Sequence, residues 1–153
     1  MQARVDAAWD ERDPATPLAS PYEALILASI VEKETGRAED RGLVASVFAN
    51  RLRIGMRLQT DPTVIYGLGP DFDGRLRRGH LDTDHPWNTY TRAGLPPTPI
   101  AMPGEAALRA ALQPQQSDFL YFVARGDGSS EFSRDLAAHN RAVNKYIRNG
   151  GGG

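Results

Sequence analysis

The chain has 153 residues, 18 basic against 19 acidic, for a formal net charge of −1. That length suits one domain with a single core, and the charge balance selects neither nucleic acid nor another polyanion as a partner. The lack of cysteine removes disulfide frameworks, thiolate zinc sites and cysteine nucleophiles together.

No apolar run approaches the roughly 20 residues that cross a bilayer. The opening MQARVDAAWDERD carries charges throughout and lacks the apolar centre of a signal peptide. Residues 3–11 read as a short helix with Val5, Ala8 and Trp9 on one face. After the Pro-rich connector DPATPLASP, Ser20, Pro21 and Glu23 form a helix start of N-cap, first-position proline and acidic third residue. From Tyr22 to Val31 only Glu23 and Ser29 are strongly polar, the mark of a buried helix, and Gly36 is the expected stop.

A second helix is expected to carry Glu39 and Asp40 in its first turn, a stripe of Val44, Val47, Phe48 and Leu52, and Gly55 as terminator. Residues 60–67 (TDPTVIYG) read as a short capped helix closed by Gly67. Residues 68–104 are rich in Gly and Pro and show little periodicity, and so long an irregular segment points to function or mobility. GEAALRAAL (104–112) is a short helix, and FLYFVA, RGDGSS and EFS form an aromatic hairpin. A last helix spans about 135–147, with Leu136, Val143 and Ile147 as expected core contacts. The architecture expected is α+β, mainly helical with a small antiparallel element. Residues 1–149 are expected to form its one domain, with 150–153 as a flexible glycine tail.

Glu32 follows Leu25 by seven residues and Ser29 by three, continuing an otherwise apolar or small helical face. A carboxyl in such surroundings holds its proton, as a general acid near neutral pH must. Equally, Glu32 and Glu34 can flank Lys33 in a solvated last turn. In GMRLQTDPTVIYG (55–67), Gln59, Thr60, Asp61 and Tyr66 offer hydrogen bonds to sugar hydroxyls or N-acetyl groups, while Thr60 or Asp61 can instead cap the helix behind them. In HLDTDHPWNTY (80–90), Trp87, Asn88 and Tyr90 supply aromatic faces and an amide suited to sugar rings. His80, Asp82, Asp84 and His85 in that stretch are ligand types, yet their spacing matches no metal-site class and a polar loop is the preferred reading. GLPPTPIAMPG (94–104) contains four prolines and is stiff enough to wall a groove. No G-x-S-x-G elbow, P-loop or dinucleotide fingerprint is present, so those reaction classes drop out.

Taken in order, ILASIVEKETG (26–36), VASVFANRLRIGMRLQTDPTVIYG (44–67), NTYTRAGLPPTPIAMPG (88–104) and LYFVARGDGSSEFS with His139 and Asn140 closely resemble the MltG/YceG-type endolytic murein transglycosylases, from about Trp9 to about Ile147. The resemblance implies cleavage of the β-1,4 bond between N-acetylmuramic acid and N-acetylglucosamine in nascent peptidoglycan strands. It implies 1,6-anhydro ends, termination of polymerisation beside penicillin-binding synthases, and no cofactor or metal. Full-length members sit at the outer face of the bacterial cytoplasmic membrane through an N-terminal anchor, followed by a LysM-like region. This sequence matches the catalytic part alone, expected to be soluble.

The resemblance assigns the catalytic acid and base to Glu32. Ser29, Glu34, Gln59, Thr60, Asp61, Tyr66, Trp87, Asn88 and Tyr90 are the accompanying substrate contacts. A more distant likeness to lysozyme-like lytic transglycosylases sets Gly55 to Gln59 as a Gly-x-x-Gln turn one residue longer, and Trp87-Asn88 for a Tyr-Asn pair. One carboxylate suffices in this chemistry, because the muramic C6 hydroxyl replaces water as the attacking group.

Overall fold

The computed structural model describes residues 2–35 and 37–149. Among them the chain is α+β: helices α1 (Gln2–Asp10), α2 (Pro21–Glu34), α3 (Arg41–Arg53), α4 (Asp61–Leu68), α5 (Arg78–Asp82), α6 (Glu105–Leu112) and α7 (Leu136–Val143), with strands β1 (Tyr121–Ala124) and β2 (Ser130–Ser133).

Helix α2 is the central element. Ser20 is extended and its hydroxyl accepts from the Glu23 N–H at 3.2 Å, with Pro21 at the first helical position. Glu23 reaches back past the cap, accepting the Ala19 N–H at 2.8 Å. Ala24 and every residue from Ile26 to Val31 are buried, as its near-continuous apolar composition dictates. The helix closes on Thr35, whose N–H and hydroxyl both donate to the Val31 carbonyl. Gly36, the expected stop, lies outside the described residues, as does the glycine tail.

Across α2 pack α1 through Val5 and Ala8, α3 through Val44 and Phe48, and α6 through Ala107, Leu108, Ala111 and Leu112, with Leu58 closing the core. Each fully buried Leu or Val in this cluster contributes about 1.5–3 kcal/mol against exposure. Glu39 and Asp40, expected in the first turn of α3, form a separate 3-10 turn, Ala38–Asp40. Gly55 does end α3, at φ +73°.

Helix α4 runs one residue past its expected terminator and closes on Gly69. Gly67 lies inside the helix for a different reason. A Cβ there would fall 2.4 Å from His85 Cε1 and 2.9 Å from Trp87 Cβ, so glycine lets the 80–90 loop lie on α4.

The segment 68–104 is largely irregular, as expected, but contains a 3-10 turn (Gly69–Asp71) and α5. Both are too short for a hydrophobic period to show. The hairpin pairs Tyr121 with Ser133 and Phe122 with Phe132. Phe122 meets Phe48 edge-on at 5.8 Å, fastening the hairpin to the helical core.

Helix α7 is capped by Asp135, which accepts the Ala138 N–H at 2.8 Å, and runs on as a π-helical turn, Asn144–Asn149. Leu136 and Ile147 are not core residues: they are 55% and 52% exposed. The buried position of α7 is Ala142, a small residue that lets the helix lie close. That packing turns the Leu136 side of the helix outward, over a pocket.

Candidate active site

Glu32 and Glu34 stand two residues apart on one helix, about 200° around its axis. They therefore project to opposite sides. Glu34 follows Leu27, Ile30 and Val31, all fully buried, at helical spacings of seven, four and three. It carries the core face of α2 past the end of the core and into a pocket of about 480 Å³. A volume of this size accommodates sugar-sized ligands.

Burial pushes the Glu34 carboxyl up to about 7, and the negative charge of Asp61 adds to the rise. The Thr60 hydroxyl is buried and forms no hydrogen bond of ordinary geometry, yet it lies close enough to the carboxyl to work weakly against that rise. Near neutral pH Glu34 is thus divided between acid and base, the condition in which one group can both donate and accept a proton.

The pocket floor comes from the residues just after α3. Gln59 lines it with a left-handed backbone, φ +51°, a costly conformation for a residue with a side chain. Around it Thr89 ties the 88–90 loop down: its carbonyl accepts the Gln59 N–H at 3.2 Å and its hydroxyl accepts the Thr60 N–H at 3.0 Å. The same hydroxyl meets Thr63 Oγ1 at 2.9 Å. This lock brings Tyr90 over Asp61, and the phenol donates to Asp61 Oδ1 at 2.5 Å. Burial, then that hydrogen bond and the charges of Asp61 and Glu34, hold Tyr90 far above the ordinary phenol range, so it remains a donor.

Arg51 forms another wall. Its Nε donates to the Leu120 carbonyl at 2.8 Å, and its Nη1 donates to the Arg57 and Leu58 carbonyls at 3.2 and 2.8 Å. Among the described residues no carboxylate pairs with it. Together with Asn50, which donates to the Ser117 and Phe119 carbonyls, it fixes the strand entry that presents Tyr121 to the pocket. The guanidinium lies 5.2 Å from the Tyr121 ring.

Ser29 and Glu32 occupy the other side of α2, and there they hold the proline-rich segment. The Ser29 hydroxyl donates to the Ile26 carbonyl at 2.6 Å and accepts the Ile100 N–H at 3.0 Å, and the residue is fully buried. Glu32 Oε1 accepts the Gly104 N–H at 2.6 Å, just ahead of α6. A carboxylate at that helix start is favoured by the unpaired N–H groups there. Tyr66 projects to this side as well, with Leu25, Pro99 and Met102 around a shallow apolar hollow.

Trp87 packs partly on the core, its ring 5.9 Å from Tyr66 and its indole N–H donating to Thr98 at 3.1 Å. Asn88 is fully buried. Its amide nitrogen donates to the Leu81 and Thr83 carbonyls at 3.0 and 2.8 Å, and its oxygen accepts the Tyr90 and Thr91 N–H groups at 2.8 and 3.3 Å. No valence is left for a ligand. Asn88 and Ser29, expected to touch substrate, instead organise the loops around the site. Asn88→Ala strands several buried backbone groups and is expected to lower stability by about 3 kcal/mol, read from the denaturant midpoint.

The pocket thus assembles Glu34, Gln59 and Tyr90 directly, with Asp61 and Thr60 at its edge. It leaves Ser29, Glu32, Tyr66, Trp87 and Asn88 outside. It adds Arg51, Tyr121, His139 and Asn140. Glu34, Gln59 and Tyr90 were already candidates in the sequence, and the spacing of Glu34 from Leu27 and Val31 was the signal that it continues the core face. The added Tyr121, His139 and Asn140 come from segments that follow α3 by about 70 residues or more, a distance over which no local pattern carries.

The YceG-like family model matches residues 1–145. The endolytic murein transglycosylase of Bacillus subtilis (strain 168) is 45% identical over 128 residues, covering 84% of this chain and 35% of its own length. That of Streptococcus pneumoniae serotype 2 is 35% identical over 135 residues, covering 82% and 24%. The crystal structure of a yceG-like protein from Listeria monocytogenes superimposes with a TM-score of 0.73 at 46% identity, over 80% of this chain and 39% of that one. The chain therefore spans about a quarter to two-fifths of the relatives it matches.

Proposed function

Because the chain belongs to the YceG-like family, we propose that it carries endolytic murein transglycosylase activity, and that Glu34 rather than Glu32 is its acid and base. The observation that supports this most is the Glu34 carboxyl, partly buried at the rim of the core, raised to about 7 and opening into a sugar-sized pocket. Glu32 has instead a backbone partner on the far side of α2.

In this reading the substrate is a peptidoglycan glycan strand, cut between N-acetylmuramic acid and N-acetylglucosamine. Protonated Glu34 donates to the glycosidic oxygen as the C1–O bond breaks. The resulting carboxylate then takes the proton of the muramic C6 hydroxyl as that oxygen closes on C1, giving a 1,6-anhydro end. Atoms balance without water, and the attack is intramolecular, so proximity lowers its barrier. The charge that develops at C1 has the negative charge of Asp61 nearby, held in place by Tyr90. The work site in this reading is the outer face of the bacterial cytoplasmic membrane, where strands emerge from penicillin-binding synthases.

One observation favours a second reading. Asp61 stands close enough to raise Glu34, and two neighbouring carboxyls also suit hydrolysis, with Asp61 activating water or attacking C1. Mass analysis of muropeptides released from purified peptidoglycan separates the two. Anhydro ends, one water lighter than reducing ends, are expected. Reducing muramic ends alone would replace transglycosylation by hydrolysis, and no new ends would leave only a binding module.

A further inference from the structure

The pocket has a wall that this chemistry does not use. Leu136, His139, Asn140 and Val143 all line it, and their spacing of three, four and seven places them on one stripe of α7. The order along the stripe is apolar, polar, polar, apolar. Leu136 is 55% exposed, a large aliphatic side chain left more than half open at the pocket.

The polar pair is equally unspent. The His139 ring stacks on Tyr121, centroids 4.9 Å apart and planes 23° from parallel. Its Nδ1 is buried and has no hydrogen-bond partner. A proton there would strand a buried N–H, so the hydrogen-bond environment assigns the proton to Nε2. Burial and the Arg51 charge both lower the His139 pKa, which keeps the ring neutral. His139 is therefore a single N–H donor. Asn140 is exposed, lines the pocket and supplies an amide NH₂ as donor and a carbonyl oxygen as acceptor.

We propose that this stripe of α7 is the subsite that reads an acetamido group of the glycan, with His139 and Asn140 on its amide and Leu136 and Val143 around its methyl. An acetamido group presents one carbonyl acceptor, one N–H donor and one methyl. The stripe offers the complement of each within two helical turns. A sugar hydroxyl satisfies the polar pair but leaves Leu136 exposed, and a carboxylate leaves the Asn140 acceptor unmet. The inference rests on the proposed glycan substrate and adds which of its groups is recognised, and where.

The test is binding, measured calorimetrically in a Glu34→Gln background so that no turnover intervenes. The probes are chitotetraose, which has acetamido groups and no muramic acid, and cellotetraose, which has hydroxyls in their place. Chitotetraose is expected to bind at least about tenfold more tightly, the worth of one or two hydrogen bonds and a buried methyl. His139→Leu and Asn140→Ala are expected to remove most of that difference without changing cellotetraose binding. His139→Gln, which restores an N–H donor, is expected to recover part of it.

Thermal melts confirm folding, and Asn140, at the surface, supplies a variant with little risk to it. Equal losses on both sugars, or unchanged chitotetraose binding in a folded His139→Leu variant, would overturn the subsite. Absent chitotetraose binding by a chain that still releases anhydro ends from peptidoglycan would overturn it too, leaving the activity intact. Selective chitotetraose binding by a chain whose Glu34 form cleaves nothing would keep the subsite and remove the enzymatic reading.

Discussion

Glu34→Gln is expected to lower the formation of anhydro ends by about 10³-fold, within the range that loss of a general acid produces, while Glu32→Gln leaves the rate close to that of the unaltered chain. The contrast follows from helix geometry. Two residues that differ by two positions cannot both face one pocket, and only Glu34 lies among the pocket's lining. Glutamine at position 32 keeps an oxygen for the Gly104 N–H, so the strap and α6 stay placed.

The unaltered chain should also lose activity as pH rises through about 7, because the donating form of Glu34 disappears there. Asp61→Asn removes one cause of the raised carboxyl and should move that alkaline limb to lower pH. Rates measured on purified peptidoglycan from pH 5 to 9 check all three. A dead Glu32→Gln beside an active Glu34→Gln would return the acid to the other face of α2.

How much of this was legible in the sequence depended on how local the cause was. Ser20, Pro21 and Glu23 start α2 where their chemistry says it must start, because a cap is satisfied by atoms within one turn. The burial of Ile26 to Val31 was equally readable, since a helix with no polar face has no alternative. The placement of Glu32 and Glu34 on opposite sides of α2 shows where such reading ends. Both were visible as carboxyls at the end of a buried helix. The stripe through Leu25, Ser29 and Glu32 is a genuine helical face, but what covers it is the segment 99–104, some 70 residues away. Only that packing turns Ser29 and Glu32 into clamps and leaves the Leu27–Val31–Glu34 side to meet the pocket.

The same reason explains Asn88. An amide in a polar loop reads as a sugar contact, but a loop without regular structure must satisfy its own backbone groups, and Asn88 does so for four residues of that loop. His139 and Asn140 were noted only as part of a familial pattern. Their place across from Glu34 comes from the Phe48–Phe122 contact and the Arg51 bonds that dock the hairpin on α3.

Glu34 should also be expensive to the fold, and its removal should show it. The carboxyl titrates near its ordinary value of 4.5 in the unfolded chain and at about 7 in the folded one. Below the first value both states are protonated and the group is neutral to stability. Between the two, the unfolded chain releases a proton that the folded chain retains, so stability falls as pH rises. Above about 7 the loss is complete, on the order of 3 kcal/mol from the size of the gap. Glutamine mimics the protonated form at every pH. Glu34→Gln is therefore expected to match the unaltered chain near pH 4.5 and to exceed its stability by about 2–3 kcal/mol at pH 8, some 5–10 °C in melting temperature for a chain of this size. Melts of both chains across that interval check it. A difference that stays flat with pH would show that Glu34 is not the buried, proton-holding carboxyl that the proposed mechanism requires. A difference that grows toward alkaline pH would mark a residue kept for chemistry at the cost of stability.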